Sequence, residues 1–145
     1  MSLKGISTAA ATAGLGALAA IHVAWATGSP WPLADRAALA DAVIGRAGAE
    51  VPSPAACLAV ASALTTAASL VGGRPRRTPR LRGMGVIGVV AILGTRGTFG
   101  LAGRTDLLSP GSSSPRFRAL DRRFYSPICL TLAALALPAI VQQRR

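Results

Sequence analysis

"GMGVIGVVAILGTRGTFGLAG", residues 83–103, carries a single charged side chain, Arg96, in twenty-one positions. At about 1.5 Å of rise per residue such a helix is roughly 31 Å long, the thickness of a bilayer's hydrocarbon core. Three further stretches have the same character: Gly5 to Thr27, Pro54 to Gly72 and Tyr125 to Gln142. Each is about 27 to 34 Å long as a helix, which predicts an all-α, integral membrane four-helix bundle spanning residues 1–145 as one unit.

Composition agrees. The chain of 145 residues is 51% hydrophobic and only 14% charged, with a mean hydropathy of +0.47, too apolar for a soluble domain of this size. Its net charge of +11 would suit nucleic acid, but the basic residues sit between apolar stretches and form no basic face, so no nucleic-acid role is expected. Cys57 and Cys129 stand alone in separate apolar segments, with no paired thiol, which argues against thiol–disulfide chemistry. One histidine, His22, is too few for a metal site, and neither a metal nor a cofactor is expected. The first segment follows Lys4 like a secretory signal, but it ends in "IHVAW" where a small-residue cleavage site would be needed, so it is read as retained.

The connections set an orientation. Residues 74–82, "RPRRTPRLR", hold five arginines, whereas residues 28–53 hold Arg36 and Arg46 against Asp35, Asp41 and Glu50. With Lys4, Arg144 and Arg145, one side collects eight basic residues and no acid, which places both termini in the cytoplasm of a multi-pass protein of the cell membrane. The five arginines of residues 104–124 bring the opposite side to seven and weaken that contrast. Leu33, Ala37, Ala38, Leu39, Ala42 and Val43 recur at helical spacing after Pro30 and Pro32, predicting a short interfacial helix after the first span. "SPGSSSP", residues 109–115, has turn chemistry and no apolar pattern, and is expected to be mobile or loosely folded. Gly14, Gly16, Gly85, Gly88, Gly94, Gly97 and Gly100 lie in the spans, where small residues let helices approach closely.

An up-and-down path of four helices brings the end of the first, the start of the second, the end of the third and the start of the fourth to one membrane side. Every aromatic residue falls there: Trp25, Trp31, Phe99, Phe117, Phe124 and Tyr125. So do all five acids and His22. His22 lies roughly 7 Å and Arg96 roughly 10 Å inside the ends of their helices. An arginine at the bilayer centre costs at least about 2.5 kcal/mol, so Arg96 should face the bundle interior and find a partner. Asp121 is the natural candidate, although Arg122 and Arg123 beside it could neutralise it instead. His22 and Trp25, three apart, share a helix face. Ser126 and Pro127 suit the cap and first turn of the fourth helix, and Asp35 and Asp41 suit solvent.

In "AIHVAWATGSPWPL" (20–33), "AILGTRGTFG" (91–100) and "RFRALDRRFYSPICL" (116–130), the chain resembles a family of small four-helix membrane proteins common in actinobacteria, catalogued as a domain of unknown function of the 3995 type. The resemblance marks His22, Trp25, Gly28, Trp31, Arg96, Asp121, Tyr125, Ser126, Pro127 and Cys129. The second span matches only in being apolar, and "SPGSSSP" replaces a stretch often basic and aromatic in relatives. No activity is implied by it.

Two functional readings follow from the residues. In the first, Asp121 is an acid that protonates an apolar isoprenoid epoxide or alkene and starts a terpene cyclisation. His22 is then its proton partner or the final base, and Arg96 an electrostatic organiser. Trp25, Trp31, Phe99 and Tyr125 line the substrate and stabilise a carbocation, and Arg123, with neighbouring arginines, holds a phosphate head group. In the second, His22, Arg96 and Asp121 are a structural polar clamp in a non-catalytic binding or assembly subunit that meets a membrane lipid or a partner, and oligomerisation stays open. A transporter fits less well, because no polar path continues to the other end of the spans.

Overall fold

The computed structural model describes residues 2–46, 48 and 50–141. The expected end of the fourth span at Gln142, and Arg144 and Arg145 of the charge count, lie outside the described residues. Among the described residues the chain is all helix without a strand. The helices are α1 (Leu3–Ala26), α2 (Arg36–Val43), α3 (Pro54–Val71), α4 (Pro79–Leu101), α5 (Pro115–Leu120) and α6 (Ser126–Val141). A short 3₁₀ turn, Thr105–Leu107, follows α4, and a wide helical turn, Asp121–Tyr125, joins α5 to α6 without a break. Four helical stretches are long and apolar enough to cross a membrane: α1, α3, α4 and the continuous Pro115–Val141.

Local chemistry explains the boundaries. The side chains of Ser2, Asp35, Ser53 and Ser114 each accept a hydrogen bond from a backbone N–H three residues ahead, and Pro54, Pro79 and Pro115 occupy first turns where no N–H is needed. At the end of α1, Gly28 adopts φ +96°, and the N–H of Ser29 bonds the carbonyl of Ala24 at 3.1 Å, so the chain reverses in a left-handed cap.

In the bundle, α1 lies against α3 and α6, and α4 lies against α6 and, more lightly, α3. Consecutive spans are therefore neighbours around a four-membered ring. Its apolar core, Ala11, Leu15, Ala68, Val71, Val86, Leu132, Ala136 and Ala139, occupies the half nearest the 72–78 connection. Glycines matter selectively there. A Cβ on Gly14 would sit 2.6 Å from Leu132, on Gly85 2.8 Å from Leu70, and on Gly97 2.5 Å from Leu130, so these are true contact points. Gly16, Gly88 and Gly94 meet nothing within 4 Å, which corrects the expectation that every span glycine serves helix packing.

The predicted interfacial helix exists as α2, but its apolar residues are not all turned one way. Leu39, Ala40 and Ala42 are buried, with α2 packed on α5, while Ala37 is exposed. The loop expected to be mobile is tied down instead. The N–H groups of Ser113 and Ser114 both donate to the carbonyl of Gly45 at 2.8 Å, Arg46 Nη2 donates to the carbonyl of Pro110 at 2.6 Å, and Ser112 is 2% exposed. Turn-rich composition described the backbone shape correctly and missed the partner, which lies more than sixty residues away.

Candidate functional site

The helix that holds the fourth span starts well before Tyr125. It begins at Pro115, where Ser114 Oγ caps by accepting from the N–H of Phe117 at 3.1 Å. Pro127 then lies well inside the helix. It has no N–H to give and its ring crowds the carbonyl of residue 123, so a regular turn is disfavoured just before it. The chain responds with the wide turn, in which the N–H of Ser126 bonds the carbonyl of Asp121, five residues back.

That widening builds the site. In a regular α-helix, residues five apart point roughly 140° away from each other. In the wide turn Asp121 and Ser126 come onto one face, and Ser126 Oγ donates to Asp121 Oδ1 at 2.9 Å. Arg96 Nη2, from α4, donates to the same oxygen at 2.8 Å. Thr105, from the 3₁₀ turn, donates to Oδ2. Asp121 is 1% exposed and Ser126 fully buried, whereas the Arg96 side chain is 29% exposed, so the carboxylate is the desolvated member and depends on these hydroxyls as much as on the arginine. Gly100 makes the approach of α4 possible: a Cβ there would lie 1.8 Å from Ser126 Oγ, 2.7 Å from Arg96 Nη1 and 3.0 Å from Asp121 Oδ1. Arg96 Nη1 is buried without a hydrogen-bond partner among the described residues. Beside the carboxylate is a cavity of about 10 Å³, lined by Gly100, Gly103, Thr105, Asp121 and Arg122 among others, room for about one water molecule.

Above this cluster, α2 and α5 form a cap. Tyr125 Oη donates to the carbonyl of Ala42 at 3.1 Å, and its ring packs at 6.2 Å from that of Phe117. Phe117 is buried against Gly45, which at φ +66° has no room for a Cβ. Arg116 and Asp41 approach to 3.8 Å at the exposed edge of the same contact.

His22 belongs to a second group. Its Nδ1 lies 2.8 Å from the carbonyl of Leu18. A carbonyl only accepts, so Nδ1 is the ring nitrogen that donates, which leaves Nε2 as the free position of the ring. The His22 and Trp25 rings are 4.9 Å apart, and Trp25 Nε1 donates to the carbonyl of Trp31 at 2.7 Å. Trp31 itself is 60% exposed. Among the described residues His22 makes no hydrogen bond to Arg96 or Asp121. The structure thus joins Arg96, Asp121 and Ser126 in one cluster, links Tyr125 to the cap above it, and holds His22, Trp25, Gly28 and Trp31 in a neighbouring reversal. Phe99 is half-buried on α4. Arg123 is exposed and lies 5.6 Å over the Phe124 ring, turned to its own neighbour. No group of three or more potential metal-ligating residues occurs among the described residues.

Sequence reasoning named Gly100 as a close-approach glycine without placing it at this site, missed Thr105 and misassigned Ser126 as a helix cap. Thr105 carries no pattern around it. Ser126 is hidden because a 3.6-residue wheel places it away from Asp121; Pro127 was the available signal, read as the start of a helix when it interrupts one.

Residues 15–136 match the family described as Protein of unknown function (DUF3995). The matched range contains His22, Trp25, Trp31, Arg96, Thr105, Asp121 and Ser126. Neither comparison with curated proteins nor comparison with solved structures gives a match.

Proposed function

Because the chain belongs to the DUF3995 family, whose description carries no activity, we propose a function from geometry: a non-catalytic membrane subunit whose braced end presents a binding or assembly surface. One observation carries this reading. Asp121, 1% exposed, accepts from α4, from the 3₁₀ turn and from its own helix at once, the arrangement of a cross-brace. Its neighbouring cavity, about 10 Å³, is far below the few hundred Å³ of a pocket for a lipid-sized substrate. The surface it supports includes Trp31, Leu107 and Phe124, which are 60%, 53% and 47% exposed. An apolar lipid, an isoprenoid-type molecule or a partner helix would meet the protein there. The five arginines of residues 74–82 favour the cell membrane with both termini in the cytoplasm and the braced end on the opposite side.

A second reading is supported by the wide turn, a device frequent at functional sites. Here the Asp121 carboxyl gives its proton to an isoprenoid alkene or epoxide, with Arg96 as organiser and His22 Nε2 as the base that takes a proton back. It requires the carboxyl to leave at least one of its three donors. Asp121→Asn, Asp121→Ala and Arg96→Ala, assayed for folded protein in detergent and for conversion of isoprenoid epoxides by mass spectrometry, separate the two. On the proposed function all three lose stability and no variant, nor the native protein, converts substrate. Conversion by the native protein, abolished in a normally folded Asn variant, overturns it in favour of the acid.

A further inference from the structure

At the opposite end of the bundle the connection from α3 to α4 forms an open groove of about 630 Å³, lined by Thr65, Thr66, Ser69 and Leu70 of α3 and by Arg74, Arg76 and Arg77. We propose that this groove binds the phosphate of an anionic glycerophospholipid. The proposal is independent of the function proposed for the braced end.

The groove is built by the way α3 stops. Gly73, at φ +94°, reverses the chain, and the N–H of Arg74 returns to the carbonyl of Ser69 at 2.8 Å, which folds the arginine run over the last turns of the helix. Arg82 Nη1 fixes that reversal by donating to the carbonyl of Gly73 at 3.1 Å. Charge is unbalanced here. The two ion pairs among the described residues, Arg96–Asp121 and Arg116–Asp41, are both at the braced end, and so are all five acids of the chain. Among the described residues no acid side chain faces the three groove guanidiniums, and the α3 C-terminus adds about half a negative charge beside them. A guanidinium matches phosphate oxygens with two parallel donors.

Hydroxyl geometry refines the ligand. Thr65 and Thr66 give their protons to the carbonyls of Ala61 and Ser62, at 2.8 and 2.9 Å, and so offer only acceptors, suited to a hydroxylated head group. Ser69 makes no side-chain hydrogen bond among the described residues and keeps its proton for a phosphate oxygen. Leu70, half-buried, and Pro75 supply the apolar part of the lining. A lining with both polar and apolar parts, at the end of a helix long enough to cross a membrane, suits head-group depth, where a phospholipid satisfies both parts and inorganic phosphate only one.

The test uses the full chain in nanodiscs of phosphatidylcholine doped with phosphatidylglycerol, with bound lipid counted by native mass spectrometry and folding checked by thermal unfolding. An arginine near an anionic surface is worth about fivefold in affinity, so the Arg74→Gln/Arg76→Gln/Arg77→Gln variant should bind phosphatidylglycerol about a hundredfold more weakly. Ser69→Phe, which fills the groove without altering charge, should lose about tenfold, while Arg104→Gln/Arg116→Gln/Arg118→Gln at the far end should stay within about twofold. Equal losses in both triple variants would reduce the effect to surface charge and overturn the proposal. So would unchanged binding by Ser69→Phe, or displacement of the lipid by equimolar inorganic phosphate.

Discussion

The two halves of this bundle are held by different physics. Near the 72–78 connection, Leu15, Val86, Leu132 and Ala136 pack without a polar atom among their side chains. Near the other end, the buried Thr105, Asp121 and Ser126 form a hydrogen-bonded cluster with the half-buried Arg96. In lipid, apolar packing gains from close contact alone, since the surrounding tails are equally apolar. It therefore degrades gradually as volume is lost. A buried polar cluster behaves otherwise: fully satisfied it fixes one arrangement, and with one member missing it leaves a desolvated charge.

The largest effect that would expose this difference is expected for Arg96→Ala. It strands Asp121 and should cost about 3–5 kcal/mol, read as lowered resistance to unfolding in mild detergent. Leu15→Met, a volume-conserving change at a fully buried position, should cost under about 1.5 kcal/mol. If the two cost the same, the contrast between the halves fails. Next comes Gly100→Ala, whose Cβ would fall 1.8 Å from Ser126 Oγ; overpacking of this kind costs about 1–3 kcal/mol. Its control is Gly94→Ala, which meets nothing within 4 Å and should be neutral or stabilise by about 0.5–1 kcal/mol. A smaller loss, about 1 kcal/mol, is expected when Ser114→Ala removes the cap of the fourth span, seen as faster amide exchange in residues 115–118. Smallest is Arg116→Gln. Its pair with Asp41 is long and exposed, so the change should stay within about 0.5 kcal/mol and shrink further in high salt.

Ser-Pro pairs show how much of this was legible beforehand. Ser53–Pro54 and Ser114–Pro115 each start a helix by the same cap. Ser126–Pro127 has the same two letters and sits inside one. Nothing local distinguishes them; what differs is that Tyr125 reaches Ala42 and Phe117 reaches Gly45, contacts across more than seventy residues that make the earlier turn worth extending. The spans were readable because length and hydropathy are local sums. Likewise Arg96 and Asp121 were pairable, since a deep arginine needs an anion and topology offered one. Thr105 was not, nor was the choice of Gly100 from among the span glycines, because both depend on where a 3₁₀ turn and a helix face happen to meet. The separation of His22 from that pair is equally a matter of rotation about helix axes, which topology alone leaves open.

The wide turn at Asp121–Tyr125 also acts as a phase shifter. It holds one residue more than a regular turn, so the helical pattern before it and the pattern after it are out of step by about 100°. Residues 115–120 can answer to α2 while residues 126–141 answer to α4 and α1, although both belong to one continuous rod. A single-residue deletion there would restore the regular period and swing Phe117 about a quarter-turn off the pocket beside Gly45, with every residue of the cap still present. In this stretch the count of residues, rather than their identity, is what couples the cap to the bundle.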